Sequence, residues 1–318
     1  MPESGRVEAL TAPSVSAPLS VSEGGAGGRK RLNRRSLLSL LGVVPFGAYV
    51  VVFLIIPTLV VVIGAFGANP EDGGGATLEN IKALGNRQVV DAFVFSVSLS
   101  AGSALIGAVL GALLAYAVAT AKPDGMLRRL VTSACAVLAQ FGGVTLAFAF
   151  YATIGLTGFV TVYLADHYDV NIFSGGVWLF ELPGLTLVYT YFQIPLMVIV
   201  FLPALDGIRP QWREAAESLG GSTWQYWRLV GGPLLAPAFL GSTLLLFANA
   251  FSAYATAAAL VSQGAPIVPL QIRNALTSEV LLGQENVGKA LALGMVVVVA
   301  VVMWLYALLQ RRTSRWLG

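Results

Sequence analysis

Residues 229–272 read LVGGPLLAPAFLGSTLLLFANAFSAYATAAALVSQGAPIVPLQI. Whether this run crosses a membrane once or twice decides the fold. It holds no Asp, Glu, Lys or Arg. A crossing helix needs about 20 apolar residues, so the length admits two. Its end, SQGAPIVPLQ at 262–271, carries a glycine and two prolines and is expected to be a loop. The run is therefore counted as one crossing, and charge placement checks the count.

Charge is expensive in hydrocarbon, so gaps between charges reveal crossings. Five further charge-free runs lie at 36–70, 92–121, 130–165, 182–205 and 290–310. Trimmed at their glycine, proline and polar ends, the six runs predict helices over 40–66, 92–120, 130–154, 184–205, 236–260 and 289–310. The chain is 56% hydrophobic and 11% charged, with a mean hydropathy of +0.77, far from soluble composition. The expected fold is an all-α polytopic membrane protein with six transmembrane helices. Six crossings place Arg6, Arg29, Lys30, Arg31, Arg34, Arg35, Lys122, Arg128, Arg129, Arg209, Arg213, Arg228, Arg311, Arg312 and Arg315 on one side. By the excess of positive charge in inner loops, that side is cytoplasmic and holds both termini. A seventh crossing would put the C-terminal arginines outside. The opposite loops are acidic, with Glu71, Asp72, Glu79, Asp91, Asp166, Asp169, Glu181, Glu279 and Glu285 against Lys82, Arg87, Arg273 and Lys289. That balance suits solvation, a cation or a basic partner patch.

The chain divides into a basic tail at 1–38, a transmembrane domain at 39–312 and a short tail at 313–318. The first tail, rich in Ser, Pro and Gly, is expected to be disordered. The first apolar run starts too late and runs too long for a cleaved signal, so it reads as an uncleaved anchor.

The polar loop at 206–236 contains EAAESLGGSTWQYWRLVGGP, residues 214–233. Pro210 suits a helix start, and QWREAAESL a helix in which Arg213 pairs with Glu217 four residues on. Gly220 and Gly221 end it, because glycine takes the left-handed conformation readily. Ser222 or Thr223 caps a second short helix, TWQYWRLV, and Pro233 and Pro237 bend the chain into the fifth crossing. Aromatics beside charges are the composition of an interface anchor.

This pattern, Glu214, Ala215 and Ala216, then Gly220, then Val230 and Pro233, resembles the EAA loop of type I ABC importer permeases. The family has Leu before the proline, where this chain has Gly232. The resemblance implies that the loop is a coupling helix docked in a cytoplasmic ABC ATPase dimer, which holds the ATP and Mg. This chain then carries no cofactor and no catalytic residue of its own. It also implies a second permease subunit, expected to be a different chain, and an extracytoplasmic solute-binding protein. The setting is the plasma (inner) membrane of a prokaryote. Among such proteins, LENIKAL before the second helix and REAAESLG are most like the spermidine/putrescine permeases.

The remaining motifs are weighed against this. GQENVGKA at 283–290 begins like a phosphate-binding loop, but Ala290 replaces the magnesium-binding hydroxyl and no strand precedes it. GAVLG at 107–111 is a small-residue stripe for close helix packing. Cys135, the single cysteine, forms no intrachain disulfide and reads as a core residue; the single histidine, His167, reads as solvated, and no metal site is expected. Gln140, Gln193, Asn249, Ser252 and Tyr254 are polar groups inside crossings, either interhelical glue or the lining of a solute pathway. Tyr189 and Tyr191 belong with them, and Pro195 breaks local bonding. No acid or base lies within a crossing, which argues against a proton relay. The alternatives are an ion-gradient-driven secondary transporter or channel, and a non-transporting scaffold; neither nucleic-acid binding nor catalysis is indicated.

Overall fold

The computed structural model describes residues 44–67, 75–122, 124–261, 267–277 and 285–314. The tail at 1–38 and the outer acids Glu71, Asp72 and Glu279 lie outside these residues. Two compact units are distinguished, Met1–Leu54 and Ile55–Gly318. In the first, residues 44–54 are helical, and Tyr49 lies against Phe53 with ring centroids 4.9 Å apart.

Among the described residues, the second unit is built of helices joined by turns, with an isolated antiparallel bridge between Gly67 and Ala76. Its elements are α1 (Ile56–Ala65), α2 (Glu79–Ala83), α3 (Arg87–Ala119), α4 (Met126–Leu138), α5 (Gly143–Ile154) and α6 (Phe159–Tyr168). They continue as α7 (Leu182–Asp206), α8 (Pro210–Ser218), α9 (Thr223–Tyr226), α10 (Gly232–Ser252), α11 (Ala255–Leu260), α12 (Val268–Thr277) and α13 (Glu285–Ser314). Among the described residues, six helical stretches are long and apolar enough to cross a membrane: Val44–Ala65, Arg87–Ala119, Gly143–Tyr168, Leu182–Asp206, Thr223–Ser252 and Glu285–Leu308.

The centre is α3 against α7, with α10 packed on both. In lipid there is little hydrophobic drive between helices, so association relies on close van der Waals contact through small residues. On α3, Ser96, Ser100, Ser103, Ala104, Gly107, Ala108, Gly111 and Ala115 form that face, and all are buried. The GAVLG stripe therefore packs within the chain. A Cβ at Gly107 would meet Gln193 Cβ at 2.5 Å, and one at Gly111 would meet Met197 Cβ at 2.5 Å and the Ile194 carbonyl at 2.7 Å. Around this seam, Met197, Phe201, Leu205 and Leu246 form one apolar cluster, which also takes in Cys135. Leu146, Tyr189, Phe192, Ala250 and Leu260 form another.

Three regions differ from expectation by more than shifted helix ends. Predicted as a single helix over 130–154, the third crossing is broken: α4 ends at Leu138 and α5 begins at Gly143. The Gly142–Gly143 pair permits this, Gly143 adopting a left-handed φ of 68°. The fifth helix starts at Thr223 rather than 236, because α9 runs through a π-turn, Trp227–Gly231, directly into α10. It then stops at Ser252. The Ser252 hydroxyl donates back to the Ala248 and Asn249 carbonyls, a bond that competes with the helical ladder. Of the expected loop at 262–271, residues 268–271 are helical, since α12 begins at Val268; residues 262–266 lie outside the described residues.

Candidate functional site

The polar segment is a rigid helix–turn–helix. Pro210 is in the first turn of α8, as its missing N–H allows. Arg213 Nε donates to Glu217 Oε1 at 2.9 Å, and this bond raises the guanidinium pKa above its ordinary value. At the end of α8, the Gly221 N–H donates to the Ala216 carbonyl and the Gly220 N–H to the Glu217 carbonyl, each at 2.9 Å. That is a Schellman closure, and Gly220 holds its required left-handed φ of 77°. Ser222 then caps α9 reciprocally: the Ser222 N–H donates to Gln225 Oε1 at 2.7 Å and the Gln225 N–H to Ser222 Oγ at 3.3 Å. The four hydrogen bonds that close this turn are all internal to the knob.

Its side chains point outward. Glu214, Ala215, Gly220 and Pro233 are exposed and Ala216 is half-buried. Leu219 is 89% exposed, Trp224 73% and Leu229 70%, with Val230 at 38%. Leu219 and Trp224 are thus large apolar groups exposed beside Glu214 and Arg213, the composition that interaction surfaces carry, while Leu229 and Val230 fall in the Thr223–Ser252 stretch that is apolar enough to cross a membrane. The root of the knob is anchored differently. Tyr226 is buried, and Trp227 meets Tyr116 of α3 edge-on at 5.5 Å. Trp227 and Tyr116, with Phe201, Leu235 and Phe239, line an apolar groove of about 600 Å³ between α3, α7 and α10.

A second feature lies where two broken helices meet. The Gly143 N–H, at the start of α5, donates to Thr256 Oγ1 of α11 at 2.9 Å. Tyr189 Oη of α7 donates to the Ala253 carbonyl, freed by the α10–α11 break, at 2.7 Å. Tyr189 and Thr256 are buried. Non-helical backbone inside a crossing must find partners within the protein, and these two hydrogen bonds supply them. Gln140 sits exposed at the α4–α5 break, Asn249 and Ser252 are exposed on the last turn of α10, and Tyr254 is half-buried in the break itself. Four of the five polar candidates thus sit in or beside the two clasped breaks.

Gln193 does not join them. It is fully buried between α3 and α7, where Nε2 donates to Ser103 Oγ at 3.3 Å and Oε1 has no partner. Gly143 and Thr256 were not among the sequence candidates. The Gly-Gly pair inside an apolar run was a local signal for a break; nothing in the sequence pairs it with a threonine 113 residues on. In the GQENVGKA segment, residues 285–290 begin α13. Lys289 lays its aliphatic stem over Gly64 and donates from Nζ to Asn286 Oδ1 at 3.0 Å.

Residues 107–315 match the family described as the binding-protein-dependent transport system inner membrane component. Among individual proteins, the sulfate transport system permease protein CysT of Escherichia coli is 27% identical over 175 residues, 54% of this chain and 59% of that protein. The chain thus spans about three-fifths of the length of that relative, as it does for the Synechocystis sulfate permease CysW, at 60%. The trehalose permease SugB of Mycobacterium tuberculosis is 27% identical over 222 residues, 70% of this chain and 72% of that protein. The spermidine/putrescine permease PotB of Haemophilus influenzae is 23% identical over 266 residues, 81% and 89% respectively. Relatives of several solute classes match, so a polyamine permease is one likeness among others. A chain of the crystal structure of a bacterial ABC transporter that imports alginate superposes with a TM-score of 0.67 at 18% identity, covering 89% of this chain and 96% of that one. A chain of the inward-facing methionine transporter MetNI gives 0.53 at 15% identity, covering 70% and 95%.

Proposed function

This chain belongs to the family of binding-protein-dependent transport system inner membrane components, and from that premise we propose that it is the membrane-spanning permease subunit of an ATP-driven importer. Permeases of this family are not themselves enzymes. ATP and Mg are held by a separate cytoplasmic ATPase dimer, and solute arrives on an extracytoplasmic binding protein. A second permease subunit, read here as a different chain, completes the solute pathway. The importer sits in the prokaryotic inner membrane with both termini of this chain inside, a reading that the arginine placement supports.

The observation that carries this reading is the α8–α9 knob, self-capped at its turn and continuous through a π-turn with α10. An exposed knob on a loose tether would dissipate a partner's motion. A knob continuous with a crossing helix transmits it. Closure of the ATPases pushes on Glu214, Ala215 and Ala216, and the push travels along α9 into α10. At the root, Trp227 bears on Tyr116, so α10 shifts against α3 and reshapes the apolar groove. At the far end, the α10–α11 break passes the movement through Thr256 to Gly143 and α5. Asn249, Ser252, Tyr254 and Gln140, exposed around these breaks, are the candidate lining of the pathway, with the clasp as its moving part. Family membership speaks against the ion-gradient transporter, and the lack of acidic or basic groups in the helix cores fits that exclusion.

Reconstitution tests the reading. With Ala215→Cys, oxidation is expected to cross-link this chain to a cysteine placed in the groove of the cognate ATPase, and solute uptake is expected to require ATP. Uptake that follows a proton or sodium gradient without ATP would overturn the assignment.

A further inference from the structure

By length and hydropathy, Gly143–Tyr168 is one candidate crossing. The contacts place the third crossing elsewhere. Arg128, in the first turn of α4, is ion-paired with Asp206, the last residue of α7. Tyr151, near the end of α5, packs against Phe180, just before α7 begins, with ring centroids 6.3 Å apart. Between Arg128 and Tyr151 the chain therefore travels the whole length of α7, one of the six apolar crossings. The crossing is made by α4 and α5 together, and it is complete before α6 starts.

That leaves α6 beyond the crossing, at the N-terminal end of α7. Its ten residues, FVTVYLADHY, reach about 15 Å, half of a bilayer's apolar thickness. Thr161 is its one buried residue, the hydroxyl donating to the Gly155 carbonyl at 2.8 Å. Apart from the half-buried Leu164, the rest is exposed and largely apolar: Phe159 is 75% exposed, Tyr168 65% and Tyr163 44%. Phe159, Tyr163 and His167 stack along one side, with ring centroids 6.2 and 4.3 Å apart. So short a helix, exposed nearly all round, is marginal in water by itself, so its exposed side chains need cover.

We propose that α6 is an interfacial helix lying in the headgroup layer at the α7 N-terminal end, with lipid as the partner that covers it. Three features select lipid. The exposed side chains of α6 follow on from those of α5, where Phe148 and Tyr151 are exposed, through Leu156, exposed in the turn between the two helices. Aromatic rings with polar edges concentrate at the boundary between hydrocarbon and water. The charged groups Asp166 and Asp169, with His167, collect at the C-terminal end, where the chain leaves toward water. A left-handed Asp169, at φ 54°, turns it there.

The test places spin labels at Phe159→Cys, Tyr163→Cys and Asp169→Cys in a Cys135→Ala background. The full chain is reconstituted alone in vesicles of phosphatidylethanolamine and phosphatidylglycerol. Labels at 159 and 163 are expected to be relaxed several-fold more by oxygen than by a water-soluble nickel chelate, and the label at 169 the reverse. Phe148→Cys, on α5, gives the hydrocarbon reference. Equal or greater relaxation by the chelate at both 159 and 163 overturns the proposal. So does shielding that arises only when a second permease or the solute receptor is added, which would make α6 a protein-docking surface. Because the labels report depth, the outcome stands apart from whether the chain transports.

Discussion

Arg128 of α4 and Asp206 of α7 form an ion pair across 78 residues of sequence, at the junction where α7 hands over to the α8–α9 knob. Arg128 is only 18% exposed and Asp206 40%. The pair fixes the start of the broken third crossing to the residue from which α8 is launched.

Breaking this pair should cost more than an exposed one and less than a buried one. A loss of about 1–3 kcal/mol is expected for Arg128→Ala. Thermal unfolding in detergent measures it. The reversed pair, Arg128→Asp with Asp206→Arg, is expected to regain part of the loss; no regain would mean that the two side chains act separately.

The knob should tolerate no change of shape. Gly220 has open space around its Cα, so the cost of Gly220→Val comes from the left-handed backbone, about 1–2 kcal/mol. Transport is expected to fall about tenfold or more for a shift of that size, with the protein still in the membrane. Glu214→Ala is expected to abolish transport without altering the fold, since its side chain is exposed. Transport surviving both substitutions, with the ATPase still bound, would remove the coupling role.

The α3–α7 seam should reject bulk. Gly111→Leu drives a Cβ into Met197 and the Ile194 carbonyl, and overpacking of this kind costs about 1–3 kcal/mol or more. Gly102→Ala on the same helix meets its nearest neighbour, Thr186 Cγ2, at an ordinary 3.8 Å and is expected to be neutral. Equal melting temperatures for the two variants would refute the seam.

The clasp should act as a unit. Tyr189→Phe and Thr256→Val each remove one hydrogen bond to broken-helix backbone, about 0.6–2 kcal/mol apiece. Both are expected to lower solute moved per ATP hydrolysed more than they lower melting temperature. Strict additivity in the double variant would show two independent bonds rather than one moving part.

The polar candidates should separate by place. Asn249→Leu, on the exposed last turn of α10, is expected to change transport with the ATPase retained. Gln193→Leu removes a buried acceptor that already lacks a partner together with the 3.3 Å bond to Ser103, two effects of opposite sign, so stability is expected to hold, with transport kept. The reverse pattern in uptake assays would move the pathway to the α3–α7 seam.

From the amino acids alone came the six apolar runs, the one-sided arginines and the shape of the knob. These are local quantities: the expense of charge in hydrocarbon, the reach from Arg213 to Glu217, the left-handed tolerance of Gly220, the capping hydroxyl of Ser222. Each is set by a residue and its near neighbours in the chain, so it is legible there. Tertiary structure decided what distant segments do to one another. It split the third crossing and clasped its break to Thr256. It joined α9 to α10, buried Gln193 in the seam against Gly107, and set Arg128 beside Asp206. Those outcomes depend on which backbones approach closely enough for small residues and freed carbonyls to meet, and no local run of residues encodes that distance.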